Sequence, residues 1–174
     1  MPAAAVAPDP VYDSAKQAEH LQTAAAMESS EVALVQGVWQ QVKPKKVHHG
    51  VEVLVKLFDK YPETKDRFPR LDVSSPEAMR GNVRMQAHAG RVVSQLGALI
   101  EDLDNMSLVN ETIYLLGENH NKRKVQAKDF EKFNTVFIEY LKETLGGAFA
   151  ADAEAALSKF MGIFASKMAE NLDQ

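Results

Sequence analysis

From residue 29 onward, apolar side chains recur every three or four positions. No stretch keeps the period-two alternation of a half-buried strand long enough to argue for a sheet. That periodicity leaves helix packed on helix as the way to bury a core. Serine, proline and glycine divide the pattern into segments. Ser29 or Ser30 is suited to cap a first helix over about 30–43, with Val32, Val35 and Trp39 on its buried stripe. Pro44 suits the start of a second helix, reaching about Tyr61 and carrying Val51, Leu54, Val55 and Phe58. Pro62 opens a short helical turn that ends near Phe68, and Pro69 breaks it. Residues 69–76 read as a loop, with Ser75-Pro76-Glu77 beginning another turn.

A long helix follows over about 81–101, with Met85, His88, Val92 and Leu96 on one face. Residues 102–108 read as a polar connection. The next helix, about 109–122, carries Ile113, Leu116 and His120 on one face. Two more helices span about 127–145 and 151–172, with Gly146-Gly147 between them. The expected fold is therefore all-α, with seven to eight helices and short joints. Residues 1–28 differ in being Ala-rich and poor in large apolar side chains, with three prolines before residue 11. They read as a flexible N-terminal extension.

A chain of 174 residues is long enough for one well-buried core, which assigns 29–174 to a single domain. A net charge of −4 favours neither nucleic acid nor a membrane surface as partner. No apolar run approaches a membrane span, and no targeting segment is visible, so a cytoplasmic location is the expectation. The two glycosylation sequons at Asn105 and Asn110 are then read as chance. The absence of cysteine excludes disulfides, thiolate zinc sites, iron–sulfur ligation and a cysteine nucleophile. A metal would have to be held by His, Asp, Glu or Met.

His88 and His120 are the chemically informative pair. Each lies on the apolar face of a different helix, where a single histidine is ordinarily a satisfied core residue. Together they could also flank a flat cofactor, each offering one imidazole nitrogen from opposite sides. Spacing alone leaves both readings open, including a cofactor-free helical interaction module. His49 reads as structural, and His20 and His48 as solvated. The Lys122-Arg123-Lys124 run reads as an exposed helix end.

Residues 29–172 resemble the animal globin family in order and spacing. The resemblance is carried by Trp39, by Val53-Leu54-Val55-Lys56-Leu57-Phe58 and by Tyr61-Pro62-Glu63-Thr64-Lys65-Asp66-Arg67-Phe68. It continues through Val83 to Gly97, Leu116 with His120, Gly147 to Ala153, and Phe164. It implies a globin fold around a haem pocket, with haem b (iron protoporphyrin IX) as cofactor. His120 is then the proximal iron ligand, and His88 either hydrogen-bonds a gas ligand or coordinates the iron itself. Phe68 wedges the haem plane, and Leu54, Met85 and Val92 shape the distal side. Leu116, Val125, Phe130 and Phe133 line the proximal and inner side, and Arg91 faces a propionate.

The 32-residue step from His88 to His120 is longer than in muscle myoglobin and similar to cytoglobins and neuroglobins. The corner after His120 is about one residue short, and Ala127 stands where a proline is frequent. The activity implied is reversible binding of oxygen and other diatomic gases, for storage, supply or sensing, by a monomer or homodimer. The alternative is a haem redox enzyme, a nitric oxide dioxygenase or nitrite reductase with a six-coordinate bis-histidyl resting state, fed by a separate reductase.

Overall fold

Glu28, rather than Ser29 or Ser30, caps the first helix. Its backbone N–H donates to the Glu31 carboxylate at 2.8 Å, and its carbonyl accepts from Val32 at 2.9 Å. Both serines therefore fall inside the helix. The computed structural model describes residues 27–172, and among them are seven α-helices and no strand. These are α1 (Ser29–Val42), α2 (Lys46–Lys60), α3 (Pro76–Gly81), α4 (Val83–Glu101), α5 (Met106–Asn121), α6 (Ala127–Leu145) and α7 (Ala151–Ala169). Residues 1–26 of the expected extension lie outside the described residues. Met27 is buried in the core, so the folded unit takes in the last two residues of that extension.

Local chemistry sets most boundaries. Pro44 lies in a 3-10 turn, Lys43–Lys45, and α2 begins only at Lys46. Pro62–Arg67 is also 3-10 and delivers the chain to Phe68. The expected long helix begins at Val83 rather than at about 81, because the Asn82 side chain accepts the Met85 N–H at 3.0 Å and caps α4 there. The expected connection over 102–108 is shorter, because Asn105 accepts from Leu108 N at 3.2 Å and α5 begins at Met106. Gly146 ends α6 at φ 53°, a left-handed conformation that glycine adopts without a Cβ clash.

The most extensive helix crossing is α2 on α4. It depends on Gly50, where a Cβ would lie 2.7 Å from the Ala89 carbonyl oxygen. α1 crosses α4 where the Trp39 ring fills the space beside Gly97, and the Trp39 indole N–H donates to Glu101 at 3.0 Å. α7 is the central support, packed by α1, α5 and α6. By contrast α5 makes no extensive backbone approach to α4 or to α6. His88 and His120 therefore stand on helices that do not close on one another. No helix among the described residues is long and apolar enough to cross a membrane.

Candidate functional site

On α4 the buried stripe is Met85, Ala89, Val93, Leu96 and Ile100. His88 and Val92 flank it and are only half-buried. On α5 the packed stripe includes Met106, Val109, Ile113 and Gly117, again leaving Leu116 and His120 half-buried beside it. Both histidines thus border the space between helices rather than the close-packed core. The same holds for most of the expected wall. Phe68, Val92, Leu116, Val125, Phe130 and Phe133 are all half-buried, whereas Leu54 and Met85 are fully enclosed at 2% and 0% exposure.

Aromatic rings orient both imidazoles. Phe68 meets the His88 ring edge-on at 5.2 Å and is backed by Phe58 at 5.1 Å. Phe130 meets the His120 ring edge-on at 5.3 Å and rests on Phe164 at 5.8 Å. Phe133 stacks on Phe137, the ring centroids 5.9 Å apart. The Nδ1–H of His120 donates to the Leu116 carbonyl oxygen at 2.8 Å. A carbonyl can only accept, so the proton sits on Nδ1 and the lone pair on Nε2. This is the tautomer and the support that a metal-binding histidine requires.

Burial holds the His88 imidazole below its ordinary pKa of 6.5, and the positive charges of Arg91 and Arg123 push it further down. His88 is therefore neutral at pH 7 and carries one N–H donor. Arg91 is exposed, as a cation at the rim of a cleft can be. Arg123 was not singled out from the sequence, because the run containing it is exposed and charged like any helix end. The usable signal was its place three residues after His120, on the turn that closes α5.

Other histidines separate cleanly from the site. His49 is buried between α2 and α6, with Nδ1 2.7 Å from the Tyr140 hydroxyl. Thr144 also hydrogen-bonds that hydroxyl. His48 is exposed, and His20 lies outside the described residues.

A flat apolar cofactor with a metal at its centre fits this arrangement. Among the described residues no three His, Asp or Glu side chains gather into a protein-only metal site. Iron held by His120 would need further donors from a cofactor. The half-exposed apolar wall is surface such a cofactor would remove from water, at about 25 cal/mol per Å².

Comparison with known proteins bears on the same residues. The profile of the family described as Globin matches residues 51–168, which include both histidines. Hemoglobin subunit alpha-D of Phalacrocorax carbo is 32% identical over 143 residues, 82% of this chain and 96% of that subunit.

Proposed function

Because the chain belongs to the globin family, we propose that it holds haem b between His120 and His88 and binds oxygen and other diatomic gases reversibly, for storage, supply or sensing. Haem-based gas binding is what membership of the family brings. The residues that carry it here are the reading offered. Its principal support is the 2.8 Å hydrogen bond from His120 Nδ1 to the Leu116 carbonyl, which leaves Nε2 free to ligate.

Bound haem supplies an iron with a coordination position for a small gas. The chain does the rest. His120 would hold the iron through Nε2, with its Nδ1–H held by the Leu116 carbonyl and its ring against Phe130. Phe68, Val92, Leu116 and Val125 exclude water and keep one cofactor from meeting another. His88, neutral, would offer its N–H to a bound gas. A hydrogen bond of that kind to a partly charged acceptor contributes about 1.5–3 kcal/mol. Arg91 and Arg123, the two arginines whose charge reaches His88, are suited to pair with the propionates.

An absorption spectrum of the purified protein after haem addition tests the proposal. A sharp Soret band that shifts with carbon monoxide is expected. Its absence at saturating haem would overturn the reading.

A further inference from the structure

Among the described residues, a ladder of ion pairs joins α2 and the 3-10 turn after it to α6 in antiparallel order. Lys56 pairs with Glu143, Lys60 with Glu139, Glu63 with Lys132, and Arg67 with Asp129. The first three each include a well-exposed partner, such as Glu143 at 65% side-chain exposure. Pairs like these are screened by water and salt and hold little. The fourth is different. The Asp129 side chain is only 12% exposed, and that of Arg67 28%.

One oxygen of Asp129 serves two donors. Its Oδ2 accepts from Arg67 Nε at 3.0 Å and from the Gln126 backbone N–H at 2.9 Å. The second of these closes the N-terminal turn of α6. Each partner also stands next to an aromatic residue of the cleft. Arg67 immediately precedes Phe68, whose ring meets His88. Asp129 immediately precedes Phe130, whose ring meets His120. A single carboxylate oxygen therefore ties the backbone on the His88 side to the backbone on the His120 side. Besides this bond, the turn meets α6 through the Glu63–Lys132 pair, whose Glu63 side chain is 57% exposed and so holds little. The Pro62–Arg67 turn makes no extensive backbone approach to α6, and neither does α5 to α4 or α6.

We propose that Arg67 and Asp129 are a positioning pair that couples the two walls of the cofactor cleft. Their bond sets the Phe68–His88 contact and the Phe130–His120 contact relative to each other. This rests on the reading that haem lies between the two histidines. If backbone packing held the walls, loss of one surface charge would matter little. With the walls held through this bond, breaking it from either end frees both rings at once.

The test measures haem loss from the holoprotein to an excess of a haem-scavenging protein, together with carbon monoxide rebinding after photolysis. Arg67→Gln removes one partner. Asp129→Asn removes the charge while keeping an oxygen for the Gln126 N–H. Each single variant is expected to lose haem about tenfold faster, and the double variant no faster than either single. Carbon monoxide rebinding should change in the same variants. Arg67→Lys, which keeps a charge within reach, should restore most of the difference. Lys56→Gln and Glu143→Gln should stay within about twofold of the wild type.

Urea midpoints measured alongside separate loosened walls from a destabilised fold. The pair is overturned by wild-type haem loss in both single variants, by additive effects in the double, or by an equal effect of breaking Lys56–Glu143. An effect that follows the urea midpoint across all the variants overturns it too. A wild type that takes up no haem overturns the underlying reading, whereas haem-replete variants with unchanged kinetics overturn only the coupling.

Discussion

The Nδ1–H of His120 donates to the carbonyl oxygen of Leu116, one turn back on the same helix, and so fixes which ring nitrogen faces the cleft. The first prediction follows from that orientation. His120→Ala should weaken haem binding by more than the roughly 10–100-fold that losing a ligand's hydrogen-bond partner costs. Added imidazole should restore part of the spectrum, because the alanine leaves space beside Phe130. Haem titration followed at the Soret band checks this. Unchanged affinity without imidazole would show that another residue is the ligand.

His88 is neutral and is carried by a helix to which α5 makes no extensive backbone approach. We expect it to reach the iron when no gas is present, giving a low-spin spectrum in the ferrous protein. His88→Leu should convert that spectrum to high-spin. An open form populated at about 1% in the wild type would lower apparent gas affinity about 100-fold relative to the variant. A high-spin, five-coordinate wild type would refute the expectation and leave His88 as a hydrogen-bond donor only.

His49 links stability to pH. Burial lowers its pKa below 6.5, and the nearby charges of His48 and Lys45 lower it further. As pH falls below 6.5, the unfolded chain takes up a proton before the folded one does. Stability is therefore full above that value and declines below it, until the folded state protonates as well. The urea midpoint should drop between pH 7.5 and 5.5, and His49→Gln should flatten part of the drop. His88, shifted in the same direction, keeps the remainder. A wild-type midpoint that is level across that range would contradict the assignment.

Two glycines should respond with opposite signs. In Gly50→Ala the new methyl meets the Ala89 carbonyl oxygen at 2.7 Å and Val93 at 2.9 Å. The carbonyl belongs to a packed helix and has little freedom to move, so a loss of about 1–3 kcal/mol is expected. Gly37 lies on the exposed face of α1 with nothing within 4 Å. Gly37→Ala should stabilise by about 0.5–1 kcal/mol through helix propensity. Equilibrium unfolding of both variants decides the point.

The N-terminal boundary can be tested by truncation. A chain beginning at Met27 should fold and take up haem like the full chain, in line with an extension that ends before it. A chain beginning at Ser29 lacks the Glu28 cap and the buried Met27 side chain. It should lose about 1 kcal/mol from the cap and about 1.5–3 kcal/mol from the side chain. Thermal melts of both truncations would reveal the difference. Equal stability would mean that α1 starts without help from residues 27–28.

Much of this molecule was legible in the chain alone because the signals are local. Spacings of three and four specify helices, and proline, asparagine and glycine mark where they stop, so the number of helices and their rough extents followed directly. The candidate residues also stood out, since a histidine on an apolar helix face is conspicuous whatever surrounds it. The finer boundaries were less visible. Capping is a competition between neighbours, which Glu28 won over Ser29 and which Asn82 and Asn105 decided by reaching a backbone N–H.

Only the tertiary structure could show which faces close and which stay open. Periodicity put His88 and Val92 on one face with Met85 and Leu96, yet packing seals only the latter two and leaves the former half-buried. The reach of Arg123's charge to His88, the Tyr140 partner of His49 and the Arg67–Asp129 bond join residues 35, 91 and 62 positions apart. Such pairings carry no sequence period, because they depend on how whole helices cross. Crossing is set by the sum of many small packing contacts, not by any motif.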